Sequence, residues 1–131
     1  MPHLTLEYSD NLPGPVDFDS LFARLHAALV ETASVRLADI KSRAVAQPRF
    51  RVGAGGPEAV FAHLTVALFG GRDVALQRQI TERLLEILRD GLARAWAERP
   101  CDLTVEIREI RRETYAKAMN DRARGTAAPT A

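Results

Sequence analysis

The sequence predicts an α+β fold: duplicated β-α-β units forming a four-stranded mixed sheet with two helices on one face. Three observations carry this. Apolar residues run at strand period, switch to helical period and return to strand period, twice along the chain. The tetrapeptide His3-Leu4-Thr5-Leu6 recurs as His63-Leu64-Thr65-Val66. Each copy is followed by a turn, an aspartate able to cap a helix, and a helix with an apolar stripe. Two copies are too few for a solenoid, so the duplication reads as a pseudo-two-fold pair. Within each unit the strands run parallel through a right-handed crossover, and the two units pair antiparallel.

The elements follow in order. Leu4 and Leu6 alternate with Thr5 and Glu7, a strand over 3–8. Residues 9–16 hold Asp, Asn, Gly and two prolines and form a loop, with Ser9-Asp10-Asn11 as turn formers. Asp17 or Asp19 caps a helix whose stripe is Phe18, Leu21, Phe22, Leu25 and Leu29, ending near Thr32. Residues 40–52 are extended, with Lys41 and Arg43 on one face and Ser42 and Ala44 on the other; Pro48 divides them into two short strands or marks an edge strand. Gly53-Ala54-Gly55-Gly56-Pro57 is a loop without the Lys-Ser/Thr of a phosphate-binding loop, and no helix follows it. Residues 60–69 are nearly all apolar, as a central buried strand would be. After the Gly70-Gly71-Arg72 turn, Asp73 caps a helix with Leu76, Ile80, Leu84, Ile87, Leu88, Leu92 and Trp96 in its core stripe. Leu103, Val105, Ile107 and Ile110 form the last strand, and residues 114–123 a short helix. One domain over 1–124 and a frayed, disordered tail over 125–131 complete the expectation. Antiparallel pairing of 3–8 with 60–69 would set residues 1–3 beside Gly70, Gly71 and Arg72. The open sheet face, expected to carry Ala, Leu and Val, would need a second subunit to cover it.

Composition narrows the function. Eighteen Lys and Arg against seventeen Asp and Glu leave a net charge of +1, without the basic excess of a nucleic-acid binder. RNA-reading sheets also display aromatics, and only 6% of this chain is aromatic. The apolar runs fall short of the roughly 20 residues that span a bilayer, and no secretory signal pattern is present. The lone Cys101 forms no internal disulfide and fits a reducing cytoplasm. His3, His26 and His63 are too scattered for a metal cluster.

Chemistry enters at the chain start. Initiator methionine is commonly removed before a small residue, and removal of Met1 would make Pro2 a free secondary amine. An α-amine has an ordinary pKa of about 7.7–8.0, which burial and nearby cations lower. A neutral amine beside an apolar strand is a competent general base. Cations that could meet an anionic substrate are Arg72, in the glycine turn, and Lys41 and Arg43, which share a strand face; a guanidinium grips a carboxylate through two parallel hydrogen bonds. A solvated loop arginine is the plainer account of Arg72, and Arg49 and Arg51 read as rim charges. His3 and His63 read as structural, and Trp96 as core.

The segment from Met1 to Leu12, MPHLTLEYSDNL, resembles the start of 5-carboxymethyl-2-hydroxymuconate isomerases of the tautomerase superfamily. Ile40-Lys41-Ser42-Arg43, Phe61-Ala62-His63-Leu64-Thr65, Gly70-Gly71-Arg72 with Gln77-Arg78-Gln79, and Glu106-Ile107-Arg108-Glu109-Ile110 extend the resemblance over about residues 2–120. It implies a tautomerase-like trimer, built from the duplicated unit, with Pro2 as acid/base and one site per chain. Ala62, at the position equivalent to Pro2 in the second half, is internal and offers no amine. The resemblance implies isomerisation of 5-carboxymethyl-2-hydroxymuconate to its 2-oxo isomer, a step in homoprotocatechuate catabolism. No cofactor is implied, since substrate conjugation spreads the charge. Catalytic roles fall to Pro2 and Arg72, and carboxylate binding to Lys41 and Arg43. The family has arginine where Lys41 stands, so that position keeps the charge without the planar fork. The competing readings are another enol–keto tautomerase of the superfamily, or a non-catalytic ligand-binding or oligomerisation module.

Overall fold

The computed structural model describes residues 1–124; the expected tail over 125–131 lies outside the described residues. Four strands, β1 (His3–Ser9), β2 (Lys41–Gln47), β3 (Val60–Phe69) and β4 (Cys101–Ile110), form one sheet in the order β2-β1-β3-β4. β1 and β2 are parallel, as are β3 and β4, while the central β1–β3 pair is antiparallel. Helices α1 (Phe18–Ala33) and α2 (Val74–Gly91) make the two crossovers, followed by the short α3 (Ala93–Glu98) and α4 (Asp121–Arg124). Thr5 stands opposite Thr65, so the positions that echo one another in sequence meet at the centre of the β1–β3 ladder. The duplicated architecture is therefore as the sequence implied.

Alternation decides which face is covered. Leu4, Leu6, Leu64, Val66 and Leu68 point to one side and are fully buried there against Leu21, Leu25 and Leu29 of α1 and Ile80, Leu84 and Leu88 of α2. Each such side chain stabilises the fold by about 1.5–3 kcal/mol on transfer grounds. Asp17 and Asp73 are the caps, accepting from the backbone N–H of Ser20 and Leu76 at 3.0 and 2.8 Å.

Four expectations are corrected and one alternative is decided. The open face is not an Ala-Leu-Val surface: His3, Thr5, Lys41, Arg43, His63, Thr65, Thr104, Glu106 and Arg108 occupy most of it, because most apolar positions of the strands have the other parity, with Val45, Phe61, Ala67, Phe69 and Ile110 as the exceptions. The β1–β3 register sets His3 opposite Ala67, so the chain start meets the end of β3 and falls short of Gly70–Arg72. Of the two readings of residues 40–52 the edge strand holds: residues 41–47 form a single strand at the edge of the sheet that ends before Pro48. The α2 stripe does not continue to Trp96: the helix breaks at Leu92, and Trp96 is 46% exposed beneath the Arg89 guanidinium. Residues 115–120 are irregular between a 3₁₀ turn at Arg112–Thr114 and α4, instead of helical. Ser9 and Asn11 also reach beyond their own turn. Ser9 accepts from Phe61 N–H, and Asn11 donates to the Pro57 and Ala59 carbonyls, tying the first loop to the entry of β3.

Candidate active site

Two concavities compete for the site. The larger, about 590 Å³, is an apolar groove outside α1, lined by Phe22, His26, Val30 and Leu37. It gathers no cation cluster, and the His26 Nε2 is already paired with Ser42 Oγ at 2.6 Å. The smaller, about 470 Å³, lies at the chain start and is lined by His3, Ala38, Lys41, Tyr115, Lys117 and Met119. Convergent polar and charged groups mark a ligand site better than volume does, and only the second has them.

The chain start lies beside this cavity through His3 and Lys41, which line it; Met1 and Pro2 do not. The Pro2 carbonyl accepts from Lys41 N–H at 3.1 Å, and Pro2 is fully buried. Met1 is buried as well, and its amine donates to the Asp39 carbonyl at 3.2 Å. Burial is the largest influence on that amine, followed by the Lys41 side chain and then by Lys117; together they lower its pKa from 8.0 to about 5, against a smaller opposing pull from Asp39. The Met1 amine is thereby pushed toward its neutral form at pH 7, the form a general base needs.

The cations are held by local bonds. Lys41 Nζ donates to the Asp39 carbonyl at 2.9 Å. Lys117 Nζ pairs with Asp39 Oδ1 at 2.6 Å and, as the leading cause, holds that carboxyl below its usual range. Asp39 thus fixes both ammonium groups and the chain start from one short 3₁₀ turn, Leu37–Asp39. Arg43 lies on the same face, donating to Thr5 Oγ1 at 3.3 Å and to His3 Nδ1 at 3.1 Å. His3 Nε2 lies 3.1 Å from the Tyr115 hydroxyl, and Tyr115 packs edge-on against Phe69.

Of the four residues named from sequence, Pro2, Lys41 and Arg43 gather at this end of the sheet. Only Lys41 of the four lines the cavity. The Arg72 Nη1 donates to the Phe69 carbonyl and its Nη2 to the Ala33 carbonyl, each at 3.0 Å, pinning the end of α1 to the end of β3. Asp39, Tyr115 and Lys117 were not singled out by the sequence. Tyr115 and Lys117 both line the cavity from an irregular segment, a placement that a helical reading of residues 114–123 conceals.

Known proteins place these features in context. The family described as 5-carboxymethyl-2-hydroxymuconate isomerase matches residues 2–124. The 5-carboxymethyl-2-hydroxymuconate Delta-isomerase of Escherichia coli is 30% identical over 110 residues, covering 84% of this chain and 87% of its own. A crystal structure of a 5-carboxymethyl-2-hydroxymuconate isomerase from Deinococcus radiodurans superposes with a TM-score of 0.82 at 30% identity, over 95% of this chain and 93% of that one. A fused 4-OT, described as a symmetric trimer, shares the fold with a TM-score of 0.70 at 21% identity, over 94% and 98% of the two chains. Among the described residues no helix is long and apolar enough to cross a membrane.

Proposed function

We propose a reaction from one premise: the chain belongs to the 5-carboxymethyl-2-hydroxymuconate isomerase family. It is a cofactor-independent isomerase of the tautomerase type, and its substrate is 5-carboxymethyl-2-hydroxymuconate. Removal of Met1 frees the Pro2 amine. That amine takes the proton from the 2-hydroxyl of the dienol, the double bonds shift, and a proton is delivered to C-5 to give the 2-oxo isomer. The amine begins and ends neutral, so no net proton is consumed.

The observation that carries this reading is the cation-flanked, buried chain start, where the Met1 amine is pushed toward its neutral form at pH 7. Lys41 offers an ammonium to a substrate carboxylate at the cavity wall. Arg43 uses two of its five N–H groups on Thr5 and His3, leaving three to meet a second carboxylate. The Arg72 guanidinium likewise keeps N–H groups beyond its two carbonyl bonds, and its proposed part is to polarise the substrate from the rim. A homotrimer is proposed from the kinship in fold with a symmetric trimer, and the cytoplasm from the free Cys101.

Intact mass combined with tautomerisation kinetics tests the reading. Loss of one methionine from the wild type and from Pro2→Ala, with kcat/KM falling about 10²–10⁴-fold in the variant, is expected for a general base. Equal activity in the two processed proteins refutes the mechanism.

A further inference from the structure

The His3 imidazole is held between two partners whose chemistry fixes its proton. Arg43 carries five N–H donors and no acceptor, so His3 Nδ1, 3.1 Å from Arg43 Nη2, must accept. Burial first, and the Arg43 charge second, disfavour the imidazolium. The neutral ring therefore bears its one hydrogen on Nε2, which lies 3.1 Å from the Tyr115 oxygen. Tyr115 accepts that hydrogen bond, and its own hydroxyl hydrogen must point elsewhere. Among the described residues no acceptor takes it, and Tyr115 and His3 both line the 470 Å³ cavity that Lys41 also borders. A relay running Arg43 to His3 to Tyr115 thus ends in a phenolic O–H without a protein acceptor among the described residues, on a ring held by edge contact with Phe69.

We infer that the Tyr115 hydroxyl is a catalytic hydrogen-bond donor to the substrate's 2-oxygen, with His3 and Arg43 as the residues that orient it. The inference rests on the Pro2 reading. Pro2 takes its proton from the 2-hydroxyl, so negative charge develops on that oxygen, and the oxygen lies within hydrogen-bond reach of the chain start. His3 directly follows Pro2, and Tyr115 is its hydrogen-bond partner, so the phenol stands at the same end of the sheet as the chain start. A donor preset there stabilises the transition state more than the ground state, and the accepted bond from His3 makes the phenol a stronger donor. Arg43 faces solvent on one side and keeps N–H groups for a carboxylate, so orienting His3 does not conflict with binding.

The test is kinetics of the processed enzyme with 5-carboxymethyl-2-hydroxymuconate, on Tyr115→Phe, His3→Ala and the double variant, with Pro2→Ala in parallel and thermal unfolding as the folding control. Tyr115→Phe keeps the ring packing and removes only the hydroxyl. Expected are a 10- to 100-fold fall in kcat with KM within about threefold of wild type, a comparable fall for His3→Ala, and a double variant no worse than the poorer single. His3→Gln, which retains an N–H donor, should recover part of the His3→Ala loss. Unchanged kcat in Tyr115→Phe, or a rise in KM alone, overturns the inference while leaving the base intact if Pro2→Ala is inactive. Full activity in Pro2→Ala overturns the base reading and, with it, the assignment of the 2-oxygen as the Tyr115 partner.

Discussion

The pH dependence of the wild type and of Lys41→Met bears most directly on the base. An amine with an ordinary pKa near 8 is roughly one-tenth neutral at pH 7, whereas one at about 5 is almost wholly neutral, a gain of about tenfold in competent base. Removal of Met1 moves the amine to Pro2, beside the Lys41 backbone, and the prediction is that the Lys41 and Lys117 charges lower it in the same direction as they lower the Met1 amine. The base works in its neutral form. Activity is therefore present above its pKa and lost as pH falls through it. The acid limb of kcat/KM, which reports the free enzyme, should have its midpoint below 7. Lys41→Met removes the second-largest influence and leaves burial, so the midpoint should rise without reaching 8. The variant also loses a carboxylate partner, which lowers the plateau but does not move the midpoint, so the two roles of Lys41 separate in one experiment. The profile is measured on protein shown by intact mass to lack Met1. A wild-type midpoint near 8, or a Lys41→Met midpoint coincident with the wild type, would show that the structure does not tune this amine.

Two further predictions concern the frame that holds the site. Leu64, fully buried at the centre of β3, should cost about 2–5 kcal/mol as Leu64→Ala, read as a lower urea midpoint at unchanged slope; a loss under 1 kcal/mol would mean the sheet collapses onto the cavity. Gly91→Ala sets two effects against each other: a helical alanine gains about 0.5–1 kcal/mol, but its Cβ would stand 2.6 Å from Leu21 Cδ1, in a side chain only 2% exposed, and overpacking costs about 1–3 kcal/mol. Net destabilisation of about 1 kcal/mol is expected, and Leu21→Ala should cost less in the Gly91→Ala background than alone; additive effects would sink the clash.

Periodicity settled most of the fold. The parity of Leu4, Leu6, Leu64 and Val66 dictates the buried face, the aspartates at 17 and 73 dictate where helices begin, and the repeated His-Leu-Thr tetrapeptide announces the duplication that places Thr5 against Thr65. These are local facts, written in spacing. The same spacing also brought Lys41 and Arg43 to one face and Pro2 to the head of a strand. Long-range partners were not legible. Register is set by which side chains fit across the ladder, and it stopped the chain start at Ala67. Arg72 looked free in sequence and is tied to two carbonyls, because the ends of α1 and β3 leave acceptors that only the assembled helix and sheet bring together. The irregular run that carries Tyr115 and Lys117 to the chain start pairs residues as far apart as Asp39 and Lys117. No local pattern encodes that contact; it exists because β2 begins and β4 finishes at the same end of the sheet, on its opposite edges, and the segment after β4 returns across that end.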